Sequence, residues 1–268
     1  MTSLVVTGAT GRMGRELLAA ADDRGLTVAG ATSRTAETVA GVSTAPPEAL
    51  ARLAREAPSP TVVVDFTAPQ ATTAYAERAA EARAAFLTGT TGLSEEDHAA
   101  LADAGERVPV LWASNFSRGI AALRRAVTAA VDTLPGYDVE VTETHHDGKR
   151  DAPSGTAETL IEDVEAARPD LSERVHGREG VAPRNTTEIG VHARRAGDVA
   201  GEHEVLLAGE DNVVELTHRA GSRRVFAAGA LDAAAWLAGR NPGVYEFGDV
   251  LDTDESDELA AESGGGVA

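Results

Sequence analysis

Leu4-Val5-Val6-Thr7-Gly8-Ala9-Thr10-Gly11-Arg12-Met13-Gly14 decides the fold. A short apolar run of β type enters a loop with glycines at every third position, and a helical stretch, Arg15 to Asp23, follows it. In such a strand-turn-helix unit the first glycine permits the tight turn. The second lets backbone approach a pyrophosphate, and the last lets helix pack on strand. The helix start then offers unpaired N–H groups to an anion. The spacing is GxxGxxG where GxGxxG is more usual, and Arg12 adds a cation beside the phosphates. Gly8, Ala9, Thr10, Gly11, Arg12 and Met13 are therefore candidate dinucleotide contacts.

Outward from that loop the pattern repeats. Val28 to Thr32 supplies a second strand and Val62 to Phe66 a third, nearly continuous in apolar character, as strands buried on both faces are. Ala85 to Thr88 and Val108 to Trp112 follow, with helical stretches at Pro47 to Glu56, Gln70 to Arg83 and Ser94 to Ala104 between them. The alternation predicts an α/β fold, a Rossmann-type doubly wound parallel sheet. Ligands of such folds lie at the carboxyl ends of the strands. After the second strand stands Ser33-Arg34-Thr35, where an acidic residue usually receives the ribose 2'-hydroxyl of NAD. A guanidinium between hydroxyls suits a 2'-phosphate, so Arg34 points to NADPH, with NADH use left open. Gly89, Thr90 and Thr91 follow the fourth strand, and Ala113, Ser114, Asn115 and Phe116 the fifth. Both segments are candidates for the nicotinamide half.

Beyond Asn115 the pattern changes. A helix over Arg118 to Thr133 leads into the alternating run Tyr137 to Thr144, then another helix starts at Ser154. Three runs of strand type follow, at Thr187 to Ala193, Gly201 to Ala208 and Asn212 to His218. These predict a second α+β domain over 117–224, carrying an exposed mixed sheet. The first domain, 1–116, is completed by 225–251, beginning with a helix that ends at Leu237. The acidic, then Gly-rich, stretch 252–268 reads as a disordered tail.

Composition narrows the function classes. The chain has 268 residues and no cysteine, so thiolate and disulfide chemistry are excluded. No apolar run approaches the ~18 residues of a spanning helix and no leader pattern opens the chain, which predicts a cytoplasmic protein without a membrane partner. A formal charge of -19 disfavours nucleic acid. Acid-rich, lysine-poor composition resembles that of proteins from salt-loving microbes, where screening within ~3 Å at 1 M salt leaves a like-charged surface hardly repelling an anionic ligand.

The chain's one lysine, Lys149, lies in His145-His146-Asp147-Gly148-Lys149-Arg150-Asp151-Ala152-Pro153-Ser154-Gly155-Thr156. Lysine can release a proton near working pH after a modest shift, and arginine cannot. His145, His146 and Lys149 are candidates for proton transfer. Ser154 reads as the N-cap of a helix whose first turn, with Gly155 and Thr156, carries no acid of its own. Its N–H groups are left for a ligand carboxylate. Metal binding is the weaker reading, because adjacent histidines at a strand end diverge and no third ligand stands nearby. The segment thus predicts an acidic substrate undergoing proton transfer.

These motifs resemble the dihydrodipicolinate reductase family, also called 4-hydroxy-tetrahydrodipicolinate reductases, over residues 3 to about 251. The resemblance also rests on Val64-Asp65-Phe66-Thr67, Ser114-Asn115-Phe116-Ser117, Glu143-Thr144-His145-His146, Arg195-Ala196-Gly197-Asp198 and Gly201-Glu202-His203. It implies NADPH along Gly8 to Met13, Arg34 near the 2'-phosphate, and Gly89 to Thr91 and Ala113 to Phe116 around the nicotinamide. It implies a cyclic dicarboxylate held by His146, Gly155 and Thr156, with His145 and Lys149 as proton donors or acceptors and hydride passing to C4 as water is lost. It further implies a homotetramer formed through the second sheet, and hinges at 116–118 and 223–226. Many members carry an acid where Arg34 stands, and bulkier or basic residues where Asp147-Gly148 stands. Two rivals are another two-domain NADPH oxidoreductase and a non-catalytic NADPH sensor, which has no need of a positioned proton donor.

Overall fold

A computed structural model describes residues 2–252. In chain order its elements are β1 (Ser3–Val6), α1 (Arg12–Ala20), β2 (Thr27–Ala31), β3 (Thr38–Val39), β4 (Val42–Ser43), α2 (Leu50–Glu56), β5 (Thr61–Asp65), α3 (Pro69–Glu81), β6 (Ala85–Thr88), α4 (Glu95–Gly105) and β7 (Pro109–Trp112). Then come α5 (Arg118–Thr133), β8 (Asp138–His145), α6 (Gly155–Ala167), β9 (Glu173–His176), β10 (Glu188–Arg195), β11 (Glu202–Ala208), β12 (Val213–Arg219), α7 (Arg224–Leu237) and β13 (Gly243–Tyr245). Two compact units form, one from residues up to 116 together with those from 223 onward, the other from 117–222.

The first unit is a six-stranded sheet in the order β13-β7-β6-β5-β1-β2, with every pair parallel. Successive side chains of a strand face opposite ways, and both faces are buried. Leu4, Val6, Val62, Val64 and Leu87 join a core with Leu17 and Leu18 of α1 and Ala227, Ala230 and Leu231 of α7. Val5, Val63, Phe86 and Val110 join the opposite core with Leu50 of α2, Ala76 and Ala79 of α3 and Leu101 of α4. Each fully buried Leu or Val contributes about 1.5 to 3 kcal/mol of transfer free energy, which is why the strands read as unbroken apolar runs. The chain leaves β1 for β2 on one side and returns to β5 on the other, so strand order reverses between β1 and β5. That reversal opens the crevice at the carboxyl ends of these strands.

The second unit is a five-stranded mixed sheet, β12-β11-β8-β10-β9, antiparallel from β12 to β8 and parallel from β8 to β9. Alternation in β8 and β11 buries Val139, Val141, Val205 and Leu207 beneath Ile120, Leu123 and Val127 of α5 and Leu160, Ile161 and Val164 of α6. The other face, including Glu140, Thr142, Glu204 and Leu206, is only partly covered. Exposure thus belongs to one face of the sheet.

Several boundaries differ from those read in the sequence. Helix α1 begins at Arg12, inside the glycine loop, because Gly11 serves as its N-cap. The β3-β4 hairpin, β9, β13 and a helical turn at 247–252 have no counterpart in the sequence reading. Of the tail anticipated over 252–268, residues 253–268 lie outside the described residues.

Candidate active site

In the first unit the glycine loop is folded as its residues require. Gly8 sits at φ +60°, a left-handed conformation, and a Cβ there would come within 2.6 Å of Thr67 Cγ2. At Gly14 a Cβ would lie 2.7 Å from Ala9 Cα, so helix and loop can approach only without one. Helix α1 has no side-chain cap and no acid in its first turn. A loop closed by backbone and an uncapped helix start fit a pyrophosphate. Thr10 Oγ1 lies 2.7 Å from Ser33 Oγ, joining the loop to the Ser33-Arg34-Thr35 segment after β2. Arg34 is exposed there.

The two other candidate segments meet beside this loop. A Cβ on Gly89 would lie 2.6 Å from Phe66 Cζ, so a side chain there would have to displace the Phe66 ring. Phe66 packs on Phe116 with ring centroids 5.5 Å apart. Trp112 Nε1 donates to the Thr90 carbonyl at 3.0 Å, and Ala113 N–H donates to the Thr88 carbonyl at 3.2 Å. Gly89 to Thr91 and Ala113 to Phe116 therefore form one wall at the carboxyl ends of β6 and β7.

Behind that wall lies a residue that sequence reading did not place in the site. Asp65, fully buried at the end of β5, receives the hydroxyls of Thr7 (2.6 Å) and Thr67 (2.7 Å) on Oδ1. Its Oδ2 receives those of Thr72 (2.7 Å), Thr88 (3.1 Å) and Thr90 (3.1 Å). One carboxylate thus ties the approach to the glycine loop to the Gly89-Thr90-Thr91 loop. The five threonines are scattered along the chain, so no local motif announces the cluster.

In the second unit β8 delivers His145 to the mouth of α6. His145 Nδ1 lies 2.6 Å from Glu143 Oε2, and Arg195 of β10 grips both Glu143 oxygens at 2.8 Å each. Ser154 N–H donates to Glu143 Oε1 at 3.1 Å. Burial alone would raise the Glu143 carboxyl, but hydrogen bonds from His145 and Arg195 bring it down to about 2. His203 of β11 stacks edge-on against His145, centroids 5.1 Å apart, and its Nε2 lies 3.0 Å from Ser154 Oγ. Burial, then the neighbouring His145, lowers His203 to about 3, so it is neutral near neutral pH. Lys149 Nζ pairs with Asp151 Oδ2 at 2.8 Å. Asp151 would be raised by burial, yet Lys149 and nearby backbone N–H groups hold it below its ordinary range.

Ser154 is the N-cap of α6, its hydroxyl accepting from Ala157 N–H at 3.2 Å. This helix start differs from the sequence expectation in two respects. Its first turn does contain an acid, Glu158, whose carboxylate is drawn off by Arg174 at 2.7 Å. Nor are all its N–H groups left over, because Ser154 N–H serves Glu143, Ala157 N–H serves the cap and Gly155 N–H contributes to holding Asp151. Buried donors at a helix start find partners within the chain. His145 and Lys149 are tied to this helix start through Glu143 and Asp151, Gly155 and Thr156 form its first turn, and the His146 carbonyl receives the Lys149 N–H at 3.2 Å. No group of acidic, histidine or cysteine side chains suited to a metal occurs among the described residues.

Glu143, Arg195 and His203 escaped assignment from sequence, although a signal existed. Period-two alternation puts Glu143 and His145 on the same buried face as Val139 and Val141. The same rule puts His203 with Val205 and Leu207.

A doubly wound parallel sheet with a glycine loop after its first strand, joined to a separate mixed-sheet unit bearing paired acids and bases, defines a two-domain protein of the dinucleotide-binding α/β class. Comparison with known proteins resolves the family. The model of "Dihydrodipicolinate reductase, N-terminus" matches residues 2–116 and that of "Dihydrodipicolinate reductase, C-terminus" matches 119–251. The chain belongs to the dihydrodipicolinate reductase family. It is 52% identical to a 4-hydroxy-tetrahydrodipicolinate reductase of Natronomonas pharaonis over 93% of this chain and 100% of that one. It is 51% identical to that of Haloarcula marismortui over 94% and 100%. A dipicolinate-bound dihydrodipicolinate reductase from Paenisporosarcina shares the fold, with TM-score 0.70 at 19% identity over 92% of this chain and 97% of that one.

Proposed function

We propose that the chain reduces 4-hydroxy-tetrahydrodipicolinate to tetrahydrodipicolinate, the reductive step of lysine and diaminopimelate biosynthesis, with NADPH as preferred reductant and NADH as a possible substitute. The observation that carries this reading is the convergence of His145, Lys149 and the start of α6 in one corner of the second unit. Family membership names the reaction that such a corner serves.

Gly8, Ala9, Thr10, Gly11, Arg12 and Met13 hold the pyrophosphate, Arg34 the 2'-phosphate, and Gly89 to Thr91 with Ala113 to Phe116 the nicotinamide and its ribose. When bound, the reduced nicotinamide supplies the hydride to C4. The chain's own residues manage charge and protons. His146, Gly155 and Thr156 hold the substrate carboxylates at the positive end of α6. Hydride transfer together with loss of the 4-hydroxyl as water consumes one proton per turnover, and His145 and Lys149 are the groups assigned to deliver it. Asp151 keeps the Lys149 ammonium in place until substrate arrives.

We further propose a cytoplasmic homotetramer assembled through the outer face of the second sheet and adapted to high salt. The partly covered face around Leu206 and the charge of -19 support these features. Among the described residues no helix is long and apolar enough to cross a membrane. The test is oxidation of NADPH in molar KCl, with the cyclic substrate generated from pyruvate and aspartate semialdehyde by a synthase. Turnover that requires all components is expected. Tight NADPH binding by folded protein without turnover would overturn the assignment and favour a sensor.

A further inference from the structure

Glu143 is a carboxylate buried to 1% exposure that makes four hydrogen bonds. Two come from Arg195, one from Ser154 N–H and one joins His145 Nδ1. An ionised carboxylate accepts and cannot donate, so the shared hydrogen on the His145 side must sit on Nδ1. The Nε2 nitrogen of the neutral ring is then an acceptor, and it can take up and return a proton. Nε2 lies beside Gly201, where an added Cβ would come within 3.1 Å of it, so a side chain at that position would crowd the nitrogen. Arg195 stops the carboxylate from rotating, and the edge-on ring of His203 fixes the plane of His145 from the other side.

We propose that Glu143, clamped by Arg195, is the positioning residue that sets the tautomer and ring orientation of His145, so that Nε2 is the nitrogen that exchanges the proton. The proposal rests on the reading of His145 as a proton carrier. Its physical precedent is the buried acid that orients a catalytic histidine in hydrolytic triads. The groups against the ring are Glu143 on its own strand, to which Arg195 of β10 is bonded, and His203 on β11, which in turn feels Lys149 in the loop after β8.

The test combines spectroscopy with kinetics. In wild-type protein, ¹⁵N-¹H correlation spectra of the histidine rings, assigned with His145→Gln, report the tautomer without any substrate. Neutral His145 is expected as the Nδ1-H form, and an Nε2-H form would overturn the proposal even if the enzyme turns over normally. Glu143→Gln is expected to lower kcat by about 10²- to 10⁴-fold, comparable with loss of the orienting acid in a triad, while substrate KM changes little. In the His145→Gln background the same change should have almost no further effect, since residues acting as a unit are not additive. A full additional loss in that background would assign Glu143 a purely structural role. Should Glu143→Gln fail to fold, the tautomer in wild-type protein still decides.

Discussion

Mild acid should loosen the second unit through one buried ring. His203 is 2% exposed, held neutral by burial and by its neighbour His145, with its proton affinity reduced to about 3. Among the described residues its Nδ1 has no hydrogen-bond partner, and the attraction of Glu143 for a charged ring is outweighed by burial. In the unfolded chain the same ring takes a proton near pH 6.5. Below that pH the unfolded state binds more protons than the folded one, so stability falls as pH falls, and the loss saturates once pH reaches about 3. At pH 5, one and a half units below the unfolded value, the cost is about 2 kcal/mol. The perturbation is His203→Gln, measured by urea unfolding in molar KCl near pH 7.5 and pH 5 at matched protein concentration. The variant starts less stable because packing is lost. The acid-induced loss in wild type should nevertheless exceed that in the variant by about 2 kcal/mol. Equal losses in the two proteins, within about 0.5 kcal/mol, would refute the assignment of a neutral, buried His203.

Other perturbations test the remaining parts. Asp65→Ala leaves five threonine hydroxyls without their common acceptor; thermal unfolding should show a loss of about 3 kcal/mol, with weaker NADPH binding. Gly14→Ala drives a methyl to within 2.7 Å of Ala9 Cα, backbone that cannot move aside; fluorescence titration should show NADPH affinity down at least about tenfold, or about 1.4 kcal/mol. Arg34→Ala should raise the Kd for NADPH by roughly tenfold or more while leaving that for NADH nearly unchanged, since only the former offers a 2'-phosphate to the guanidinium.

What the sequence revealed follows from how locally each feature is encoded. β1, the glycine loop and β5 were legible because strands buried on both faces must be apolar throughout, and Leu4-Val5-Val6 and Val62-Val63-Val64 are. The start of α6 was legible because a capping serine acts within three residues of itself. β13 was not: three residues, Gly243–Tyr245, become a strand only because β7 supplies the pairing. β9 carries one apolar residue, Val175, and owes its form to β10. Within the site, His145 and Lys149 were marked by rarity and proximity. The role of Glu143 was not legible, because its partner Arg195 is 52 residues away and only the parallel pairing of β8 with β10 makes them neighbours. The expectation of vacant N–H groups at α6 failed for a related reason. The chain's own carboxylates, Glu143 and Asp151, had already taken some of them.

The most direct test of the account compares wild type with Lys149→Ala in parallel, following NADPH oxidation with the cyclic substrate and, separately, NADPH binding. The account predicts that turnover falls by about 10²-fold or more, the range for losing a general acid, while NADPH affinity stays within about twofold (under 0.5 kcal/mol). Undiminished turnover in the variant would contradict it.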